Sequence, residues 1–299
     1  MKAFIALVHR ELIEHRGAFL IGPLLLVGII LGVTILAFTV GRIDTRFSGD
    51  MLNVSTIAIP FFGSLFLGVA WGLYLLATLF FYCADGFAAD KRNNALLFWK
   101  SMPVSDFRIL LAKLVAAVTI LPGAVFAVVL LSMALMLGTA QITMLFSGLP
   151  MGFGFAGLWQ VFWNVALIEL VQLAASLLWY LPFMALVGAM ATVVGRWAIP
   201  GALLLPALAS TLEWVTLGGT HPFATRTWNY LTYRMTVPES RMVDHWMQGN
   251  PMTVDVSAGL AYASDLIALL DWTQVGIGAV FAVAVIYLAS EYRRRSNDN

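Results

Sequence analysis

The chain reads Asp90-Lys-Arg-Asn-Asn-Ala-Leu-Leu-Phe-Trp-Lys-Ser-Met-Pro-Val-Ser-Asp106 between two long, nearly charge-free hydrophobic runs. A charged segment is costly inside lipid, so these residues must lie on a water-facing side of a membrane. Basic residues flank the apolar centre from Leu96 to Trp99. The hydrophobic runs therefore predict membrane helices, and the polar segment between them predicts a surface that binds another protein.

The overall composition excludes an ordinary soluble protein. Of 299 residues, 61% are hydrophobic and 11% are charged, whereas a soluble domain carries about 25% charged residues. The hydrophobic runs have the length that crosses a bilayer as a helix, about 20 residues. We therefore expect an all-α polytopic membrane protein with a single transmembrane domain over residues 1–299. A net charge of +1 gives no support for a nucleic-acid partner.

Six hydrophobic zones predict six transmembrane helices. They cover approximately residues 19–40, 57–82, 109–137, 161–194, 198–217 and 272–289. The fourth zone would be about 50 Å long as a helix, and Pro182 either kinks it or splits it into two short helices. We expect one long helix with a tight turn at Gly195-Arg196-Trp197, because a seventh span would place the cluster Arg293–Arg295 outside the cell.

The distribution of Lys and Arg predicts the orientation. Twelve of the 17 basic residues fall on the side of the two termini when six spans are counted. This bias places both termini in the cytoplasm and the protein in the cytoplasmic (inner) membrane. Residues 1–17 carry apolar positions at helical spacing, which predicts an interfacial helix or a plain extension of the first span. Residues 218–271 fall on the other side, where we expect an extracytoplasmic cap of short helices and loops.

Glu169, Gln172 and Ser176 form a polar stripe in the fourth zone. Their spacing of i, i+3 and i+7 puts them on one face of a helix. Because a carboxylate in lipid is costly, the stripe should face protein or a water-filled cavity. Two interpretations stay open. The functional one is a wall of a translocation path or a proton-linked site. The other is a structural hydrogen bond, or a position near the external interface where water reaches the carboxylate.

The chain contains none of the common catalytic motifs. It lacks the G-x-x-x-x-G-K-[ST] phosphate loop, H-E-x-x-H and G-x-S-x-G, and its histidines and single cysteine match no metal-site spacing. We therefore expect no enzyme activity, no metal site and no cofactor in the chain itself.

Residues 83–108 are interpreted as a cytoplasmic segment with a short helix near residues 94–101. Pro103 ends that helix, and Ser105 or Asp106 caps the next span. The alternative is a bare amphipathic hairpin in the lipid headgroups, where Phe98 and Trp99 would also be well placed.

The run from Arg92 to Lys113 resembles the type-2 ABC transporter permease family, the membrane subunits of ATP-driven exporters. The matching residues are Arg-Asn-Asn-Ala-Leu-Leu-Phe-Trp-Lys-Ser-Met-Pro-Val-Ser-Asp followed by Phe-Arg-Ile-Leu-Leu-Ala-Lys. The N-terminal helix, the six spans and the long insert before the last span agree with the family layout. The matching motif covers only about twenty residues.

The resemblance implies a permease subunit that couples to a separate cytoplasmic ABC ATPase, which would bind the ATP and magnesium. The expected assembly contains two permeases, identical or different, in contact with membrane lipid. The coupling helix of the family corresponds here to the ATPase-coupling residues Arg92, Asn94, Leu97, Phe98, Trp99 and Lys100.

Two other function classes remain as alternatives. A stand-alone secondary transporter would use Glu169 as its proton-linked site, although the two halves of the chain do not look alike as repeats. A lipid-modifying membrane enzyme would need a nucleophile and a base, and no such pair is recognisable. The apolar spans, which lack clustered charges, favour a hydrophobic or amphipathic cargo.

Overall fold

The computed structural model describes residues 2–40, 58–92, 104–147, 154–218, 220–236 and 259–296. Within these ranges the chain is nearly all helical and has no strand. The α-helices, in chain order, are α1 Lys2–Glu14, α2 Gly22–Thr39, α3 Ala58–Arg92, α4 Asp106–Val118, α5 Ile120–Ser147, α6 Phe155–Val194, α7 Ala198–Leu217, α8 Arg226–Met235, α9 Gly259–Leu269 and α10 Trp272–Ser296. A short π-helix, Gly17–Ile21, precedes α2.

Six helical stretches in the described part of the chain are long and apolar enough to cross a membrane, which confirms the predicted number. They are Gly17–Leu36, Pro60–Asp90, Asp106–Ile142, Phe155–Val194, Ala198–Leu217 and Trp272–Arg295. The third stretch joins α4 and α5, which are separated only at Thr119. The spans are therefore helical over the expected zones, and four of them are longer than expected.

The fourth zone forms one continuous helix, as predicted. Helix α6 has 40 residues and keeps Pro182 in its interior, so it is about 60 Å long at 1.5 Å per residue. It ends at Gly195, whose φ of +58° is costly for any residue with a side chain. The predicted start near residue 161 is wrong, because the helix begins at Phe155. Trp159 stacks on Phe155 and Phe162 there, and this ring packing extends the helix by about two turns.

The centre of the bundle is the contact between α3 and α6, which run parallel: Gly68 meets Glu169, and 19 residues further along both helices Phe87 meets Gly188. Gly188 of α6 lies against the ring of Phe87 of α3, since a Cβ at that position would stand 2.9 Å from the ring. Around this contact the core contains Leu79, Leu110 and Leu121, all nearly inaccessible. The close approach of α3 and α6 puts residues from both helices at the same depth in the membrane.

Ion pairs between distant parts of the chain bring the two termini to one end of the bundle. Glu11 of α1 and Arg293 of α10 both contact the charged residues next to segment 93–103. From Asp90 at this end, Gly68 lies roughly 33 Å away along α3. The hydrocarbon core of a bilayer is about 30 Å thick, so α3 and α6 extend past the opposite boundary.

Helix α8 contacts three of the spans, α6, α7 and α10. Glu213 of α7 accepts hydrogen bonds from the backbone N–H groups of Arg226 and Thr227, at 3.0 and 2.9 Å. From this start α8 runs back along α7, and Arg234 near its end reaches Trp179 of α6. The cap predicted over residues 218–271 stays a prediction. Residues 237–258 lie outside the described part.

Candidate functional site

The predicted coupling residues fall mostly in the undescribed segment. Asn94, Leu97, Phe98, Trp99 and Lys100 lie within residues 93–103, outside the described ranges, and Arg92 is the last residue of α3. Their predicted role is therefore untested. The structure does describe the two flanks of the segment, α3 and α4, and the flanks carry the main polar site of the molecule.

Arg293 bridges the two flanks of segment 93–103. Its Nη1 atom donates a hydrogen bond to Asp90 Oδ2 at 3.1 Å, and Asp90 lies at the end of α3. Its Nε atom stands 3.1 Å from Oδ1 of Asp106, the first residue of α4. This second contact is electrostatic, because the N–H is not aligned for a hydrogen bond. One guanidinium of α10 thus holds both ends of the segment.

Lys113 extends this contact to the N-terminal helix. Its Nζ atom lies 3.5 Å from Glu11 Oε1 and 3.6 Å from Asp90 Oδ2. It also donates a hydrogen bond to the carbonyl oxygen of Gly86 at 2.8 Å. The side chain of Lys113 is only 5% exposed, so its charge depends on these oxygens rather than on water.

Tyr82 and His15 complete the polar group around Glu11. The Tyr82 hydroxyl donates to Glu11 Oε2 at 2.8 Å, and His15 Nε2 stands 3.8 Å from the same oxygen. Burial lowers the pKa of the His15 imidazole. The ring is therefore mainly neutral at pH 7, and the positive charge of the group comes from Lys113 and Arg293.

We call Glu11, Asp90, Asp106, Lys113 and Arg293 the ionic cluster. It contains three carboxylates and two cations, and it joins α1, α3, α4 and α10. Buried charges of this kind are strongly destabilising when one partner is lost. The cluster was not found by sequence reasoning. The sequence feature that could have indicated the cluster is Lys113, which lies inside the third hydrophobic zone. An ionisable residue in a span implies a partner.

The polar stripe of the fourth zone lines a groove, as its spacing predicts. Glu169, Gln172 and Ser176 of α6 lie along a half-open groove of about 250 Å³ between α3, α5 and α6. The rest of the lining is largely apolar and includes Trp71, whose Nε1 atom donates to Ser132 Oγ at 3.0 Å. The structure therefore brings the three residues together on one wall, while their role in transport remains a prediction.

Glu169 lies at the end of this groove that is farther from the ionic cluster. Its carboxyl group occupies the space beside Gly68, where a Cβ atom would overlap it. Gly68 is roughly 33 Å from Asp90 along α3, so Glu169 is near the boundary opposite the ionic cluster. Water can hydrate a carboxylate at that depth, which favours the interpretation of a position near the external interface.

The described residues contain no group of three or more His, Cys, Asp or Glu side chains that could hold a metal ion. Comparison of the chain with protein-family models, with curated proteins and with solved structures gives no match.

Proposed function

We propose that this chain is the transmembrane permease subunit of an ABC exporter, with segment 93–103 as the binding site for a separate cytoplasmic ATPase. The observation that carries the proposal is the ionic cluster at the base of that segment. A segment that transmits force from a partner needs both of its ends attached rigidly to the helices it moves. Arg293 meets this requirement through Asp90 and Asp106.

The mechanism follows from the helices that leave the cluster. When the ATPase subunits bind ATP with magnesium and close, they push on Phe98 and Trp99. The push is transmitted through Asp90 to α3 and through Asp106 to α4, and the cluster carries α1 and α10 along with them. Four helices then move as one body, because breaking any of these buried ion pairs costs several kcal/mol.

The groove along α3 and α6 supplies the cargo path in this proposal. It reaches from Glu169 near the outer boundary to Leu79 and Met184 about halfway across the membrane. Val69, Leu73 and Leu76 along its edge are exposed and apolar. A second permease copy would cover this edge and close the path. The largely apolar walls suit a hydrophobic or amphipathic cargo.

The cytoplasmic orientation of the segment rests on the excess of Lys and Arg at the cluster end of the bundle. With that orientation both termini lie in the cytoplasm, and the cytoplasmic membrane is the expected location. The N-terminal helix α1 would then lie along the cytoplasmic interface, held by Glu11.

Substitution of the aromatic pair in the segment tests the coupling. Affinity purification from the native membrane should recover an ABC-type ATPase, identified by mass spectrometry, together with this chain. Phe98→Ala and Trp99→Ala should each weaken the association by about 30-fold, because buried aromatic anchors contribute about 2 kcal/mol or more to an interface. The rate of permease-dependent ATP hydrolysis should fall together with this association.

Trp163→Ala is the matched control for this experiment. Trp163 is an exposed aromatic residue of α6 far from the cluster end of the bundle, so its removal should leave the ATPase bound. Recovery of no ATPase from the native membrane contradicts the proposal, as does an ATPase that remains bound and active with both Phe98→Ala and Trp99→Ala.

Cysteine labelling tests the groove as a path. Ser176→Cys should react with a charged, membrane-impermeant methanethiosulfonate at least about tenfold faster than Leu178→Cys, because only a hydrated thiol forms the reactive thiolate. Leu178 is exposed on the other side of the same helix turn, and the native Cys83 is fully buried and gives no background. Equal labelling of the two variants would contradict a water-accessible path at Ser176.

A further inference from the structure

A second groove lies on the other side of the bundle, between α6, α7, α8 and α10. Its volume is about 580 Å³, within the range of about 300–1,000 Å³ that small-molecule sites occupy. The lining is almost entirely apolar, and four of its large side chains are exposed: Leu205, Tyr230, Ile277 and Phe281. A groove of this shape and polarity on membrane-spanning helices is suited to a lipid chain.

Arg234 of α8 is the one charged residue in the lining of this groove. It is only 2% exposed and is among the most buried large side chains of the described residues. Its guanidinium lies 4.3 Å above the ring of Trp179. Its Nη2 atom donates to the carbonyl oxygen of Trp179 at 2.8 Å, and Nη1 donates weakly to that of Gln274 at 3.4 Å.

These contacts hold the guanidinium in place, and none of them is an ion pair. Among the described residues, no carboxylate oxygen lies within ion-pair distance of Arg234. The charge of Asp271 acts on Arg234 from beyond ion-pair distance, and its carboxylate accepts hydrogen bonds from Tyr233 and from the backbone of Gln274. A guanidinium has five donor hydrogens, and within the described residues Arg234 donates two hydrogen bonds. A buried cation without an anion is costly.

The backbone around Arg234 is shaped to admit the guanidinium. A Cβ atom at Gly278 of α10 would stand 2.7 Å from Nη2 of Arg234, so only glycine leaves the space that the cation occupies. Pro182 packs against the same glycine. Since Pro182 has no N–H, the turn of α6 before it is weakened, and the Trp179 carbonyl in that turn accepts from Arg234.

The depth of Arg234 in the membrane also points to a lipid. Gly278 lies roughly 22 Å along α10 from Arg293 at the cluster end, less than the hydrocarbon thickness of about 30 Å. Arg234 is therefore buried at the depth of the far leaflet, where free anions from water are rare. A lipid headgroup drawn into the groove brings an anion to that depth together with the chains that fill the apolar walls.

We propose that this groove binds one acidic phospholipid, with its phosphate against Arg234 and an acyl chain along Leu205 and Phe281. Charge complementarity selects the headgroup, because the guanidinium forms charge-assisted hydrogen bonds to phosphate oxygens. Lipid binding at this groove does not require an ATPase partner. The lipid proposal can therefore fail while the exporter proposal holds, and the reverse.

The test uses the full chain purified in a zwitterionic detergent, with native mass spectrometry to count bound lipid. Added phosphatidylglycerol should bind at least about tenfold more tightly than phosphatidylcholine of the same chain length. Arg234→Gln should abolish this preference. Arg226→Gln is the matched control, because it removes the same charge from an exposed position at the start of the same helix, and it should keep the preference.

A second variant tests lipid binding independently if Arg234→Gln fails to fold. Ala209→Trp fills the groove from an exposed position of α7 without removing the cation, and it should weaken phosphatidylglycerol binding by about tenfold or more. The proposal is overturned if wild type shows no preference for the acidic lipid, or if Ala209→Trp leaves it intact. It is also overturned if inorganic phosphate binds as tightly as phosphatidylglycerol, since the apolar walls would then contribute nothing.

Discussion

Arg293→Met is expected to lower the free energy of unfolding by about 3–5 kcal/mol, the loss that follows removal of one partner from a buried ion pair. Arg293 neutralises Asp90 and Asp106 together, and its side chain is 7% exposed. Without it, the cluster holds three carboxylates against the single cation of Lys113. Methionine has a similar volume, so the loss reports the charge rather than a cavity.

The comparison residue for this prediction is the next one in the chain. Arg294 is 66% exposed and pairs with Glu291 within the same helix, so Arg294→Met should change the free energy of unfolding by less than about 1 kcal/mol. Both variants are measured by denaturant titration in the same micelles. If Arg293→Met and Arg294→Met have equal effects, the ionic cluster contributes nothing to the stability of the fold.

Lys113→Met is the second large effect that we expect, again about 3–5 kcal/mol in the free energy of unfolding. Lys113 is the only described cation that contacts Glu11, and it also contacts Asp90 and the Gly86 carbonyl. Its loss should release α1 from the bundle before the spans unfold. Faster proteolysis within residues 2–14 would report that release.

A double-mutant cycle separates the Glu11 contact from the rest of the cluster. Glu11→Gln keeps an oxygen that can accept from Tyr82 and removes the negative charge. The double variant Lys113→Met with Glu11→Gln should therefore be more stable than the sum of the single losses predicts, by about 0.5–3 kcal/mol. Strict additivity would show that Lys113 and Glu11 do not interact in the folded protein.

Local sequence patterns predicted most of the fold. The six spans, the continuous helix through Pro182 and the turn at Gly195 follow from hydrophobic length, from the charge bias and from one glycine, and all three are present. The stripe of Glu169, Gln172 and Ser176 also faces one groove, as its helical spacing predicts. These features depend on residues within a few turns of one another, so they can be predicted from local patterns in a single sequence.

Features that depend on long-range contact were missed. Asp90 and Arg293 are 203 positions apart, and no local pattern pairs them. The start of α6 was predicted too late in the chain. The nearby glycines disfavour a helix, but the stacked rings from Phe155 to Phe162 stabilise it. The partners of Arg234 in α8 were also missed, because they lie on α6 and α10, far away along the chain.

The sequence by itself predicted six helices that are long and apolar enough to cross a membrane, and a charged segment between the second and third of them that should face water. Lipid imposes those conclusions, because it tolerates neither unpaired backbone groups nor bare charges. Only the tertiary structure decided which charges neutralise one another at the ends of the helices. It also decided that Arg234, within the opposite part of the bundle, has no carboxylate beside it among the described residues.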